Sequence, residues 1–202
     1  MGTRQRGRDF ALQLGGLTSF VSRLHQQRKY RPTIFAVIQN SDGLFGVGIQ
    51  NNPERNYGLV QGRIELNEEP EAAAFREAEE EAGILRENVS TFMPHLCIGT
   101  QSGSRDPAFS TGKLYLGSFM RLKPGVDVCI VPSARTPPSD GAQEILEWWW
   151  KPAEEVCRLL VEQPGVANAT AATREKGQNI FCPAIRDAVE LQQHIDLLEK
   201  LG

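Results

Sequence analysis

Hydrophobic and polar positions fall into blocks whose period switches between that of a strand and that of a helix. Residues 33–38 are a β-branched and aromatic run, Thr-Ile-Phe-Ala-Val-Ile, and predict a buried strand. The turn signal Asn40-Ser41-Asp42-Gly43 follows, and residues 44–50 then read as the returning strand of a hairpin. Gly46 and Gly48 inside that strand predict close backbone approach. Residues 57–60, 92–99, 113–122 and 145–151 read as further strands, the last bearing Trp148, Trp149 and Trp150. Residues 126–131 read as another strand or an edge, and residues 100–111, 132–141 and 163–178 as polar or Pro-rich loops.

Three segments carry helical signals. Residues 71–82 contain no breaker, Pro70 and acidic residues suit the first turn, and Gly83 supplies the stop. Ala74, Phe75, Ala78 and Ala82 offer an apolar side to pack on a sheet. A second helix is predicted over residues 152–162. A third spans 183–200, with Ile185, Ala188, Val189, Ile195 and Leu198 as its inner surface. Strands before and after one helix, then two helices near the end, predict mixed α/β layering.

Composition narrows the field. The chain has 202 residues of ordinary globular composition, enough for one domain with a full core. A formal charge of −3 argues against binding nucleic acid through bulk charge. No apolar run approaches a membrane span. Cys97, Cys129, Cys157 and Cys182 are widely spaced, which reads as free or buried thiols in a reducing compartment. His25, His95 and His194 stand at no zinc-ligand spacing. Residues 1–31 hold seven Lys or Arg against one acid, Asp9. Phe10, Leu14, Leu17 and Val21 share one face of a short helix, weakened by Gly15 and Gly16. Residues 1–29 are therefore expected to be a basic extension, flexible, RNA-contacting or targeting-like, outside a domain at 30–202.

The chemistry concentrates in residues 62–84. Glu77, Glu80 and Glu81 are spaced to share one helical face, where their mutual repulsion favours a divalent cation; oxygen ligands favour Mg²⁺ or Mn²⁺. A solvated acidic face is the bland alternative. The wider spacing decides against it. Gly62, Glu68, Arg76, Glu77, Glu80, Glu81, Gly83 and Ile84 fit G-x5-E-x7-R-E-U-x-E-E-x-G-U, with U aliphatic. Fixed positions of that number match by chance on the order of once in 10⁸ windows. The stretch resembles the Nudix box, the signature of hydrolases acting on nucleoside diphosphates linked to another moiety. Ala78 stands where that family usually has Leu, and Asn67 where Gly is usual.

The resemblance extends to Tyr30-Arg31-Pro32 before the first strand, Gln61-Gly62 after Tyr57, residues 144–150 and a helix beginning near Phe181. These are similar to the branch holding RNA pyrophosphohydrolases and plant-type diadenosine tetraphosphate hydrolases. The departures are Val60, Arg63, Cys182, and Ile49-Gln50 where RNA-processing members carry an Arg pair. The resemblance implies an α/β/α sandwich around a mixed β-sheet. It also implies metal-dependent hydrolysis of a phosphoanhydride in a nucleotide or an RNA 5′ end. Metal would be held by Glu77, Glu80 and Glu81, with a backbone carbonyl near Gln61 or Gly62. Arg76 would orient a carboxylate, and Glu80 with Glu144, or Glu147 in its place, would serve the attacking water. Arg31 and Lys113 would contact phosphate, and Tyr115 or Phe181 would stack a base. The competing reading is a weakly catalytic subunit that uses the same fold to bind RNA or a protein partner. The expected location is cytoplasmic, or an organelle matrix such as the mitochondrion if residues 1–29 are a targeting segment.

Overall fold

The apolar run at residues 33–38 becomes the centre of the molecule. The computed structural model describes residues 17–51, 55–102, 111–128, 130, 145–162 and 181–201. In chain order the elements are α1 (Leu17–Gln27), β1 (Tyr30–Gln39), β2 (Phe45–Gln50), β3 (Tyr57–Gly58), β4 (Val60–Arg63), α2 (Pro70–Ala82), β5 (Val89–Ser102), β6 (Gly112–Leu122), β7 (Ile145–Lys151), α3 (Ala153–Val161) and α4 (Phe181–Leu201). A 3-10 turn, Arg86–Asn88, lies between α2 and β5.

The described strands form one mixed sheet. β1 runs parallel to β6 from Tyr30↔Gly112 to Gln39↔Arg121 and antiparallel to β4 from Thr33↔Arg63 to Ala36↔Val60. β2 meets β1 at the hairpin, pairs with β3, and pairs along its length with β7. β5 pairs with β6. Ile34, Ala36 and Ile38 enter one core, together with α1 and α2; Phe35 and Val37 enter the other, together with α3 and α4. A strand covered on both faces needs apolar residues at every position, which is why its sequence is a continuous run. The result is the expected α/β/α sandwich.

Local chemistry explains the turns. Asn40 Oδ1 accepts from the backbone N–H of Asp42 at 3.0 Å and of Leu44 at 2.9 Å, while Gly43 takes φ +81°. The glycines of β2 are needed for space. A Cβ on Gly46 would lie 2.0 Å from the Trp148 ring, and one on Gly48 would lie 2.8 Å from Ile145. The pairing of β2 with β7 thus rests on missing side chains.

Three differences from the sequence expectations have physical causes. β5 continues through residues 100–102, because Thr100, Gln101 and Ser102 find ladder partners in Leu114, Lys113 and Gly112. Residues 126–128 and 130 lie outside any strand; the rest of 126–131 falls outside the described residues. The largest difference concerns residues 17–27, expected within a detached basic extension. They form α1, and Val21 is only 1 % exposed, with Leu24 buried beside it in the core beneath α2. His25 Nε2 also lies 2.8 Å from the Ile64 carbonyl oxygen. A helix with few apolar residues holds its place here by burying Val21 and Leu24.

Leu24→Ala is therefore expected to lower the unfolding free energy by about 2–4 kcal/mol, as for other buried leucines. Urea denaturation measures it. A loss below ~0.5 kcal/mol would mean that α1 is not part of the packed domain.

Candidate active site

The site is built where β4 passes under α2. α2 begins with Pro70 at its first turn and ends at Gly83, whose φ of 65° and ψ of 20° are left-handed. The Gly83 N–H reaches Glu79 O at 3.0 Å and the Ile84 N–H reaches Ala78 O at 3.0 Å, so two carbonyls near the helix end are satisfied. Ala73, Ala74, Ala78 and Ala82 are all buried against the sheet. Small side chains on that stripe let the helix axis come close, and Ala78 in place of a larger residue is part of that approach. Phe75 packs on Phe92 at 4.8 Å between centroids, and the Arg86 guanidinium covers its ring at 4.4 Å.

Close approach brings two of the three glutamates into the interface. Glu77 is 8 % exposed and Glu81 6 %, whereas the Glu80 side chain is 40 % exposed. The Glu77 carboxylate occupies the space above Gly62. A Cβ on Gly62 would lie 1.9 Å from its Oε1, so glycine there is a steric necessity. Glu81 Oε2 accepts from the Gln61 backbone N–H at 3.0 Å, which ties α2 to β4. Sequence spacing placed these carboxylates on one face; it did not reveal that the face is buried.

Arg76 organises the cluster. Its Nε and Nη2 donate to the two oxygens of Glu68 at 2.8 and 3.0 Å. Nη1 donates to Glu77 Oε1 at 2.6 Å and to Glu80 Oε2 at 3.1 Å, and Nη2 also reaches the Arg63 carbonyl at 2.8 Å. One planar guanidinium thereby joins the loop before α2, the end of β4 and two turns of α2. The hydrogen bond to Glu68 is the chief cause that holds Arg76 above its ordinary pKa. Burial opposes it, and the Glu77 charge adds to it. Arg76 reaches Glu80, four residues on in the helix, but binds Glu68 and Glu77 more closely. Glu68 also accepts from the Glu65 N–H at 2.8 Å, so it closes the loop as well as gripping Arg76. Its fixed position in the motif was the signal for that role. Asn67, beside it, takes φ +67°, the left-handed conformation that glycine or asparagine tolerates.

The donors suit a hard divalent cation in kind: three carboxylates, two of them buried beside backbone groups of β4. In arrangement, Glu77 and Glu80 face Arg76 Nη1 and Glu81 faces Gln61. Among the described residues no three acidic, histidine or cysteine side chains close into a ligand cage. The residues that would hold the cation lie on one helix and are held by hydrogen bonds to Arg76 and the Gln61 amide rather than turned toward a common point.

The other sequence candidates sit elsewhere. Arg31 and Lys113 are direct partners across β1 and β6. By strand alternation they share the sheet face of Phe35 and Tyr115, opposite α2. Lys113 Nζ lies 5.8 Å above the Tyr115 ring. Tyr115 is 3 % exposed, edge-on to Phe35 at 6.2 Å and to Phe181 at 5.9 Å. Burial pushes its hydroxyl up to about 12, against the pull of the Arg31 charge. Tyr115 is thus a core residue, and Phe181, half-buried and 5.0 Å from Phe35, is the more accessible ring. Glu144 lies outside the described residues, and Glu147 is exposed and ion-paired with Arg55.

Two substitutions test this construction. Gly62→Ala forces Glu77 off its seat, and a displacement of about 1 Å at a catalytic group is expected to cost roughly 10²-fold in turnover. Steady-state hydrolysis and circular dichroism together distinguish that loss from unfolding. Arg76→Ala leaves Glu68 and Glu77 without their cation. A stability loss of about 3 kcal/mol is expected, at the low end for breaking a buried pair because Arg76 is partly exposed. Denaturant unfolding reads it; an unchanged midpoint would refute the organising role.

Comparison with known proteins identifies the family. The family model described as the NUDIX domain matches residues 29–173. Nudix hydrolase 25 of Arabidopsis thaliana is 27 % identical over 142 residues, covering 66 % of this chain and 78 % of its own. An RNA pyrophosphohydrolase of Erythrobacter litoralis is 29 % identical over 150 residues, covering 68 % and 85 %. Among solved structures, a C. elegans Ap4A hydrolase in a binary complex superposes with a TM-score of 0.52 at 18 % identity, over 80 % of this chain and 98 % of that one. The E. coli dihydroneopterin triphosphate pyrophosphohydrolase gives 0.51 at 18 % identity, over 65 % and 88 %. The last two show the shared fold. With the motif residues gathered around Arg76 and the family match spanning most of the chain, this protein belongs to the Nudix family and is a hydrolase of pyrophosphate bonds.

Proposed function

We propose that the chain is a divalent-metal-dependent pyrophosphohydrolase of nucleoside-linked polyphosphates, with RNA 5′ ends or dinucleoside polyphosphates as substrates. The observation that carries the reading is the pair of buried carboxylates, Glu77 and Glu81, seated on Gly62 and the Gln61 amide. Burying two carboxylates is costly unless cations repay it. Arg76 supplies one such charge, and a polyphosphate substrate arriving with more negative charge calls for others. Glu77, Glu80 and Glu81 would hold Mg²⁺ or Mn²⁺. Such an ion neutralises phosphate oxygens and favours ionisation of the attacking water.

The remaining roles fall to the chain itself. Arg76 holds the Glu77 and Glu80 side chains in one orientation, so little reorganisation is needed on binding. Glu80, the exposed member, would take a proton from water, with Glu144 as the second acceptor. Arg31 and Lys113 bind phosphate beyond the scissile bond, and Phe181 offers a ring to a base. Those cations lie on the other face of the sheet, so a substrate reaching both sets passes around β4, which among the described residues pairs only with β1. That geometry favours an extended polyphosphate chain over a compact one. Among the described residues no helix is long and apolar enough to cross a membrane. The wide spacing of Cys97, Cys129, Cys157 and Cys182 supports a reducing compartment, the cytoplasm or an organelle matrix.

Two measurements test this reading. With Mg²⁺, Glu81→Gln and Glu80→Gln should each lower phosphate or pyrophosphate release roughly 10²–10³-fold with the fold retained. Full activity in both would remove these carboxylates from the mechanism. Substrate choice is read by comparing triphosphorylated RNA with a dinucleoside polyphosphate over a salt titration, with and without residues 1–16. RNA binding carried by the basic segment should fall steeply with salt and weaken on truncation, which removes Arg4, Arg6 and Arg8, while dinucleotide hydrolysis changes little. Salt-resistant RNA binding that survives truncation would assign RNA recognition to the domain.

A further inference from the structure

Far from the carboxylates, two thiols from distant parts of the chain meet. Cys157 lies in α3 and Cys182 in the first turn of α4, 25 residues apart in sequence. Cys157 Sγ lies 4.0 Å from the Cys182 carbonyl oxygen, and Cys182 Sγ lies 3.6 Å from the Cys157 carbonyl oxygen. Each sulfur thus faces the backbone of the other cysteine. The two differ in access: Cys157 is half-buried, and Cys182 is only 8 % exposed.

We propose that Cys157 and Cys182 are a reversible oxidation site, Cys157 attacking and Cys182 resolving, which a low-molecular-weight disulfide such as oxidised glutathione converts to an intramolecular disulfide joining α3 to α4. The half-buried thiol is the one a small disulfide can reach, and the buried thiol beside it is sheltered from direct attack but placed to displace. The electrostatics agree. The hydrogen bond from Cys182 is the main influence lowering the Cys157 thiol to about 7, with burial opposing it and the Arg186 charge assisting. The same interaction, with burial, raises Cys182. Arg186 stands one helical turn beyond Cys182 and favours a thiolate at either sulfur.

The exchange balances without a further reagent. The Cys157 thiolate attacks one sulfur of the glutathione disulfide. A Cys157–glutathione bond forms, the glutathione S–S bond breaks, and the departing thiolate takes up the proton Cys157 gave up. Cys182, as it loses its proton, attacks the Cys157 sulfur. The Cys157–Cys182 bond forms and the second glutathione leaves as its thiol. Two protein thiols are oxidised and one disulfide is reduced to two thiols. The crosslink ties α3 to the first turn of α4, where Phe181 packs on Phe35 and Tyr115.

The test uses the full chain, reduced and then incubated with oxidised glutathione, and mapped by mass spectrometry after alkylation without reduction. The expected product is a disulfide-linked peptide pair containing Cys157 and Cys182. It should be accompanied by a rise in the thermal unfolding midpoint that dithiothreitol reverses. Cys182→Ser should stop the reaction at a glutathione adduct on Cys157, and Cys157→Ser should take up no glutathione at Cys182. Circular dichroism establishes that both variants fold. The proposal is overturned if the folded wild-type chain yields no linked pair while all four cysteines titrate after unfolding. It is equally overturned if Cys182→Ser accumulates no adduct on Cys157.

Discussion

Packing carboxylates beneath a helix is possible only where their charge is answered, and in this protein the answer is Arg76. Its guanidinium spends its donors on Glu68, Glu77, Glu80 and the Arg63 carbonyl, which belong to a loop, a helix and a strand. A lysine would carry the charge but not the fork that reaches several acceptors in one plane. The arrangement leaves the acidic face of α2 half inside the protein: Glu77 and Glu81 inward, Glu80 at the opening. Positive charge is therefore part of the resting site, and any cation or polyphosphate joins a charge balance already in place.

The backbone is shaped to suit that balance. Gly62 withholds a side chain so that Glu77 can lie on β4, and Gln61 offers its amide to Glu81. Asn67 takes a left-handed conformation and Glu68 bonds the Glu65 amide, so the loop returns to the N-terminus of α2 with its acid aimed at Arg76. α1 supports the same region from below, through Val21 and Leu24 in the shared core and His25 at the Ile64 carbonyl. A segment with a strongly basic composition thus becomes structural once it supplies the apolar residues that cover β1 and β4.

The two faces of the sheet divide the work. α2 and its glutamates occupy one; Arg31, Lys113, the Phe35–Tyr115–Phe181 cluster and the Cys157–Cys182 pair lie with α3 and α4 on the other. β1 links them, because its odd and even positions serve opposite layers. A change in how α4 sits bears on Phe181 directly and reaches the carboxylates only through the packed sheet.

Much was legible in the order of residues. β1, the Asn40–Gly43 turn, the start and stop of α2, and the spacing of Glu77, Glu80 and Glu81 follow from local rules of period, turn chemistry and capping. Those rules act over a few residues, and so does the evidence for them. Other features depend on partners distant in the chain. The extension of β5 depends on β6, the docking of α1 on β1, and the burial of Tyr115 on α4. The grip of Arg76 on Glu68 spans a loop whose return path the spacing alone does not describe, and Cys157 meets Cys182 only because α3 and α4 share one face of the sheet. By itself the sequence determined the elements and the chemical identity of the site, because periodicity and side-chain type are local properties. Tertiary structure alone decided which carboxylates are buried, what neutralises them and which residues lie on the opposite face, because burial and charge pairing exist only once distant segments are packed together.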